Sequence, residues 1–353
     1  MHLKTIACDA ALAQLARFDT IVDVRSESEF AIDHLPGAVN CPVLSDVERS
    51  EIGTIYQHVS PFDARRAGAA LAAANIARHL RGCFPDRPRT WSPLVYCWRG
   101  GERSASFAHV MARVGWQVQQ LQGGYRAFRR IVVEALETLP PRFSYRVLCG
   151  ATGSGKSRLL GHLDRAGAQV LDLESLADHR GSVLGGLPDC CQPSQKQFET
   201  RLWWALRRLD AARAVFVESE SRRIGACQLP TALLDAMRRS DCVHLDLPVP
   251  QRIRLLRDEY RHYEGSPQQL CRHLDGLTPV HGQATVRRWK ALVADGQWDA
   301  LVACLLQEHY DPVYLRSIQS NYRQAGQAQR VVLDSADRAD FERAARELAH
   351  SAV

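Results

Sequence analysis

No apolar run in the 353-residue chain approaches the roughly 18 to 20 residues that a membrane-spanning helix needs. Its opening residues, Met1-His2-Leu3-Lys4, lack the long apolar stretch of a secretion signal. These absences predict a cytoplasmic protein with no membrane partner. The eleven cysteines include no C-x-x-C pair, and their number is odd. They are scattered, apart from the adjacent Cys190 and Cys191. That argues against a zinc ribbon and against a disulfide framework. Cys149 and Cys242, in apolar runs, read as small buried hydrophobes. Solenoid repeats and low-complexity tracts are also missing. What remains, 46% apolar and 24% charged, is the composition of an ordinary globular chain long enough for two domains. A net charge of +6 is compatible with a polyanionic partner without requiring one.

The chain alternates strands and helices, which predicts an α/β fold of parallel sheets covered on both faces. Strands are expected at 19–24, 94–97, 118–121, 145–149, 169–173, 214–218 and 242–247. Helices are expected at 64–80, 104–114, 124–139, 156–163 and 194–213, and a capping box at Ser26 and Glu29. The pair Pro140-Pro141 marks the best boundary. It divides an N-terminal domain, 1–140, from a second domain, 141–353, whose part beyond Pro250 reads as mostly helical.

Cys97 ends a strand and opens the loop Cys97-Trp98-Arg99-Gly100-Gly101-Glu102-Arg103-Ser104, which runs into a helix. Backbone N–H groups of such a loop point inward, and the helix N-terminus adds positive potential. Arg99 and Arg103 add two full charges, and Gly100 and Gly101 permit backbone shapes that a Cβ forbids. This setting stabilises a thiolate and binds a tetrahedral oxyanion beside it. The alternative is a buried structural cysteine before an ordinary helix, which leaves the two glycines and two arginines unexplained. His34 reads as a packing residue.

The segment Gly150-Ala151-Thr152-Gly153-Ser154-Gly155-Lys156-Ser157 matches G-x-x-x-x-G-K-[ST], after an expected strand and before an expected helix. Gly150, Thr152, Gly153, Ser154 and Gly155 would wrap a phosphate, Lys156 would neutralise it, and Ser157 would hold magnesium. Glu218, at the end of a later strand, is the acidic partner such a site needs. Glu220, Arg222 and Arg223 crowd the same strand end, and Asp172, Glu174, His179 and Arg180 follow another. They form a candidate second site at the carboxyl edge of the sheet. For these the alternative is a solvated loop, and for His179 a surface or capping role.

Asp23-Val24-Arg25, the turn His34-Leu35-Pro36-Gly37-Ala38-Val39-Asn40, the Cys97 loop and Gly123-Gly124-Tyr125 together resemble a rhodanese domain, over roughly residues 8 to 138. Cys97 matches that family's chalcogen carrier. The loop from Cys97 to Arg103 has seven residues where common sulfurtransferases have six, and is similar in length to that of dual-specificity phosphatases. A rhodanese domain joined to a P-loop domain resembles the bacterial tRNA 2-selenouridine synthases. The segments 172–182, 218–225 and 310–314 support the match.

That resemblance implies a transferase acting on wobble 2-thiouridine in the anticodon region of tRNA. Geranyl diphosphate would first alkylate the sulfur, its diphosphate held by the 150–157 loop with magnesium. Selenium from selenophosphate would then replace the geranylthio group and give 2-selenouridine. Cys97, Arg99 and Arg103 would be catalytic, with Cys97 taking selenium as a selenenylsulfide-type intermediate. Trp98, Gly100, Gly101, Glu102 and Ser104 would cradle selenophosphate, which a separate enzyme would supply. For tRNA the basic candidates are Arg201, Arg207, Arg208, Arg213, Arg252, Arg254, Arg257 and Arg261, although each cluster alone reads better as a solvated helix face. Trp203 and Trp204 read better as core than as base-stacking groups. The rival reading is a rhodanese-fold phosphatase or sulfurtransferase coupled to a P-loop kinase or ATPase.

Overall fold

The computed structural model describes residues 3–182, 184–186 and 191–351; Met1, His2 and Cys190 lie outside the described residues. The chain forms two compact units. The first comprises Met1–Ala135 with Lys196–Trp204, and the second Leu136–Gln195 with Ala205–Val353. Among the described residues, no helix is long and apolar enough to cross a membrane.

The first unit is built on five parallel strands, β1 (Lys4–Ile6), β2 (Thr20–Asp23), β3 (Ala38–Asn40), β4 (Pro93–Tyr96) and β5 (Gln119–Leu121), in the order β1-β5-β4-β2-β3. The run Pro-Leu-Val-Tyr makes β4 apolar on both faces, and all four of its residues are buried. Chain direction across the sheet reverses between β2 and β4. Ligands bind at such a switch point, outside the carboxyl ends of the strands. Asp23 and Cys97 therefore flank the crevice. Helices Pro61–Cys83 and Glu102–Val114 contribute Ile76, Phe107 and Met111 to a core with Val22, Val95 and Trp91. The expected capping box is present: Glu29 accepts from the N–H of Ser26 at 3.3 Å and from its hydroxyl at 3.1 Å.

The second unit repeats the plan with β6 (Tyr145–Cys149), β7 (Gln169–Leu171), β8 (Val215–Glu218), a small antiparallel hairpin of β9 (Arg223–Ile224) and β10 (Cys227–Gln228), then β11 (Asp241–Asp246) and β12 (Gln329–Val332). Its main sheet runs β12-β11-β6-β8-β7, all parallel. Leu148, Phe216 and Val243 from the sheet pack with Leu159 and Phe341 from the helices Lys156–Arg165 and Arg338–His350. A separate helical core gathers Tyr263, Leu274, Val286 and Trp289.

Two elements depart from the sequence reading. The helix expected over 194–213 spans only Gln195–Leu206. After it, Arg208 and Leu209 donate to carbonyls three residues back, and Gln169 takes the N–H of Asp210 and the carbonyls of Asp210 and Arg213. Those side-chain bonds replace a further helical turn. The region beyond Pro250 is mostly helical, yet it returns β12 to the main sheet beside β11.

Phe341 is fully buried, and its ring fills the space where a Cβ on Gly155 would stand, 2.5 Å away. Phe341→Ala should cost about 3–5 kcal/mol in urea unfolding of the second unit's transition.

Candidate functional site

In the first unit, Cys97 is only 3% exposed and lies between β4 and the helix Glu102–Val114. Among the described residues, the N–H groups of Trp98, Arg99, Gly100 and Gly101 donate to no protein acceptor, which leaves four donors for an anion. The loop is held by the turn after β5. The N–H groups of Tyr125 and Arg126 donate to the carbonyls of Cys97 and Trp98 at 2.8 and 3.0 Å. Gly100 has φ +68°, and a Cβ there would meet the Leu121 carbonyl at 2.5 Å. Only glycine fits that position.

Two polar groups behind the loop were not linked to it from sequence. Gln120 on β5 donates to the carbonyls of Gly100 and Gly101 at 2.9 and 3.2 Å and to the Ser104 hydroxyl at 2.8 Å. Ser104 then offers its one proton to Cys97 Sγ at 3.2 Å or to the Gly101 carbonyl at 3.1 Å. Cys97 Sγ itself stands 3.9 Å from the same Gly101 carbonyl. Ser104, expected to touch the anion, thus touches the sulfur. The second group is Glu29, which binds Arg103 at 2.7 and 3.5 Å. Arg99 and Glu102 are exposed. Trp98 stands 5.2 Å from the Tyr125 ring, and both face a cleft with Arg25, Arg49, Arg103 and Lys196. His34 stacks on Phe30 at 3.9 Å, a packing role.

In the second unit, β6 delivers the 150–157 loop to the N-terminus of the helix Lys156–Arg165. Lys156 Nζ donates to the Gly150 carbonyl at 2.8 Å, and Gly150 N–H donates to the Tyr314 hydroxyl. Arg252, 5% exposed, donates to the Thr152 carbonyl at 2.9 Å and forks onto Asp311 at 3.0 and 2.5 Å. It is therefore a strut for the loop and not a surface contact for tRNA. Ser157 donates to Glu174 at 3.1 Å.

Glu174, Glu218 and Glu220 present carboxylate oxygens that lie within 4.8 Å of one another. Burial and mutual repulsion push each acid up to about 8, while Lys156 pulls the other way. Glu218 Oε1 and Ser154 Oγ are buried with no protein partner among the described residues. Lys156, Ser157, Glu174, Arg180, Glu218 and Glu220 line one cleft, along with Thr152, Gly153 and Gly155. Asp172, His179, Arg222 and Arg223 do not line it. Asp172 caps the short helix Leu173–Leu176 by accepting from Ser175 N–H at 2.8 Å. His179 forms a lone bridge with Gly186, and Arg222 and Arg223 are exposed around the β9 hairpin.

Beside that cleft is an apolar cavity that sequence reasoning missed. Leu184, Leu256, Tyr263, Trp298, Leu301 and Leu305 line it. Thr152, Ser182, Leu256, Tyr260 and Tyr310 belong to both spaces, so the phosphate loop and the cavity share a wall. Its residues come from distant helices, and only the fold assembles them.

The other basic candidates are mostly engaged. Arg254 pairs with Asp337, Arg257 with Glu264 and Asp299 at 2.9 and 3.0 Å, and Arg261 with Asp258 at 3.0 Å. Arg213 donates to the Gly167 carbonyl at 2.6 Å, and Arg207 and Arg208 lie past the helix end. Trp203 is core, packed edge-on to Phe128 at 5.4 Å.

Burial works against the charge of Glu29, but the hydrogen bond and charge of Arg103 outweigh it and hold the acid below its usual value. The stabilisation is therefore present above the ordinary glutamate range and is lost as pH falls through the lowered value. Glu29→Gln should cost about 1–2 kcal/mol at neutral pH, and its deficit against the parent chain should shrink in acid. Urea titrations at several pH values check both.

A model of the rhodanese-like domain matches residues 8–131, and one described as the tRNA 2-selenouridine synthase AAA domain matches residues 143–269. The chain is 33% identical over 328 residues to the tRNA 2-selenouridine synthase of Hahella chejuensis, covering 85% of each. It is 32% identical over 322 residues to that of Hydrogenovibrio crunogenus, covering 83% of this chain and 88% of that one. With the enzyme of Aeromonas salmonicida it shares 35% over 245 residues, covering 69% of this chain and 65% of the relative. The chain belongs to the tRNA 2-selenouridine synthase family.

Proposed function

We propose that the protein is a cytoplasmic tRNA-modifying transferase that converts wobble 2-thiouridine to 2-selenouridine in two steps. The observation that carries this reading is the apolar cavity sharing a wall with the phosphate loop. A polar head and an apolar tail are what geranyl diphosphate brings, and the pairing suits it better than a nucleoside triphosphate.

In the first step the uridine sulfur attacks C1 of the geranyl group. The C–O bond to diphosphate breaks, diphosphate leaves with the electron pair, and the uridine N3 proton is lost. Lys156 and the N–H groups of the 150–157 loop other than those of Gly150 and Ser154, which donate to Tyr314 and Ala151, stabilise the charge that develops on the leaving group. Glu174, Glu218, Glu220 and Ser157 are hard oxygen donors, one of them with an orphaned buried oxygen, and this donor set fits magnesium. Bound there, the ion would neutralise the diphosphate.

In the second step the net exchange consumes selenophosphate and water and releases geranylthiol and phosphate. Selenium keeps its oxidation state, so no external oxidant or reductant enters. The free N–H groups of residues 98–101 bind the phosphate part, together with Arg99. Cys97, supported by Ser104, attacks phosphorus: an S–P bond forms as the P–Se bond breaks, the released selenide adds to C2 of the S-geranyl base, geranylthiolate leaves with the electron pair, and water then cleaves the S–P bond to give phosphate. The selenenylsulfide that the resemblance implies would need an oxidant and is not part of this step. Selenophosphate comes from a separate enzyme.

The two steps predict separable variants. Lys156→Ala should lower S-geranyl formation by about 100-fold or more. Cys97→Ser should accumulate S-geranyl-2-thiouridine and make no 2-selenouridine. Mass spectrometry of tRNA nucleosides reads both, and unchanged seleno- and geranylthio-uridine in cells lacking the protein would sink the proposal.

The carboxylates give a pH signature. Their raised values mean that the cation-free fold loses stability as pH climbs from the ordinary glutamate range to about 8. Magnesium should offset that loss. The rise in Tm that it causes should grow between about pH 6 and about pH 8, level off above, and vanish in Glu218→Gln.

A further inference from the structure

Cys41, His79 and Cys83 form a second cluster in the first unit, apart from the Cys97 loop. Their Sγ, ring-nitrogen and Sγ atoms all lie within 4.8 Å of one another. His79 and Cys83 stand four residues apart on the helix Pro61–Cys83, which places them on one face. Cys41 follows β3, and its N–H donates to the Asp23 carbonyl at 2.8 Å. Here the chain's third layer, helix against strand end, brings together two soft sulfurs and an imidazole.

The histidine is already oriented as a ligand. Its Nε2 lies 3.0 Å from the Pro42 carbonyl, which can only accept, so Nε2 carries the proton. Nδ1 is then left with its lone pair, 3.9 Å from Cys83 Sγ. Metal-ligating histidines are fixed by such a bond from the other ring nitrogen to a carbonyl. In a tetrahedral zinc site the edges between sulfur and nitrogen or sulfur ligands are about 3.5–3.8 Å, so the cluster needs to contract by less than about 1.5 Å. Rotation of the exposed Cys83 side chain can supply most of that.

Charge favours a divalent ion. Cys41 is buried beside Val43, Ile76 and Phe84. A lone thiolate is disfavoured in that setting, whereas two thiolates with one divalent cation carry no net charge.

We propose that Cys41, His79 and Cys83 bind one zinc ion, with the fourth position open at the exposed Cys83 side. The ion ties the end of the helix Pro61–Cys83 to the end of β3, which in turn touches Asp23. It stabilises the edge of the crevice and takes no part in the group transfer at Cys97.

The test uses the full chain, stripped with a chelator and titrated with zinc against a chromophoric competitor, then with cobalt. One zinc per chain, a thiolate-to-cobalt charge-transfer band and a zinc-dependent rise in Tm are expected. All three should be lost in Cys83→Ser and in His79→Ala, with the circular dichroism spectrum unchanged. Cys83 is exposed, so its substitution leaves the core intact. The charge-transfer band separates this site from the glutamate cluster, which offers only oxygen. Zinc binding that survives in both variants overturns the proposal. So does a parent chain that binds none, or one that loses two free thiols to a Cys41–Cys83 disulfide without zinc.

Discussion

A buried guanidinium has five N–H donors to satisfy and no way to shed its charge, so the residues around it must come to it. Each unit of this protein is organised around one. Arg25, 1% exposed, donates to both oxygens of Asp23 at 2.6 to 3.0 Å and to the Asp33 carbonyl at 2.6 Å. Its carbon lies 4.0 Å over the ring of Tyr125, whose N–H holds the Cys97 carbonyl. A single cation thus links the end of β2, the turn after β5 and the cysteine loop. Arg252 does the same in the second unit, from the Thr152 carbonyl to Asp311. Such pairs are weak evidence for stability, because desolvation offsets most of their attraction. Their consequence is placement: a shift of either loop would cost a buried guanidinium its contact with the Tyr125 ring or the Thr152 carbonyl.

That constraint explains which parts of the sites were readable from sequence. The Cys97 and 150–157 loops announce themselves because their chemistry is local. Glycine, arginine and lysine stand within eight residues of one another, and the strand before and helix after are regular. Gln120 escaped notice and Glu29 was read only as the capping-box partner of Ser26, because they meet the loop from 16 or more and 74 residues away. Arg252 was read as basic surface for the same reason. Its sequence neighbourhood is a charged helix, and nothing local says that its side chain alone turns inward to a carbonyl 100 residues earlier. β12 failed differently: four residues at the end of a helical region make a strand only because β11 offers an unpaired edge.

The helix Gln195–Leu206 was legible as a helix but not in its role. Thr200 donates to Asp33 at 3.0 Å, Tyr125 donates to the same oxygen at 2.8 Å, and Glu199 pairs with Arg129. Residues 196–204 are thereby drawn into the first unit although they follow the phosphate loop in sequence. A boundary drawn at Pro140 from the proline pair has no access to such a return, since it rests on contacts with Asp33, Phe128 and Arg129 that lie far away in sequence.

The phosphate loop carries a conflict that its ligand must resolve. Three carboxylates crowd the place where a diphosphate would bind, and two like charges about 4 Å apart repel by about 4 kcal/mol at an effective dielectric of 20. One lysine cannot offset three acids and an incoming polyanion. The site relieves itself in one of two ways: the acids stay partly protonated, as their upward shift allows, or a divalent cation sits among them. Protonated carboxyls would donate to the phosphate oxygens but would leave its charge in place. A cation neutralises both sides at once. The arrangement would therefore be destabilised when empty, relieved in part by a cation alone and more fully by cation and anion together. In the proposed reaction, raised acids of this kind would favour a metal-bound diphosphate over a free anion such as inorganic phosphate.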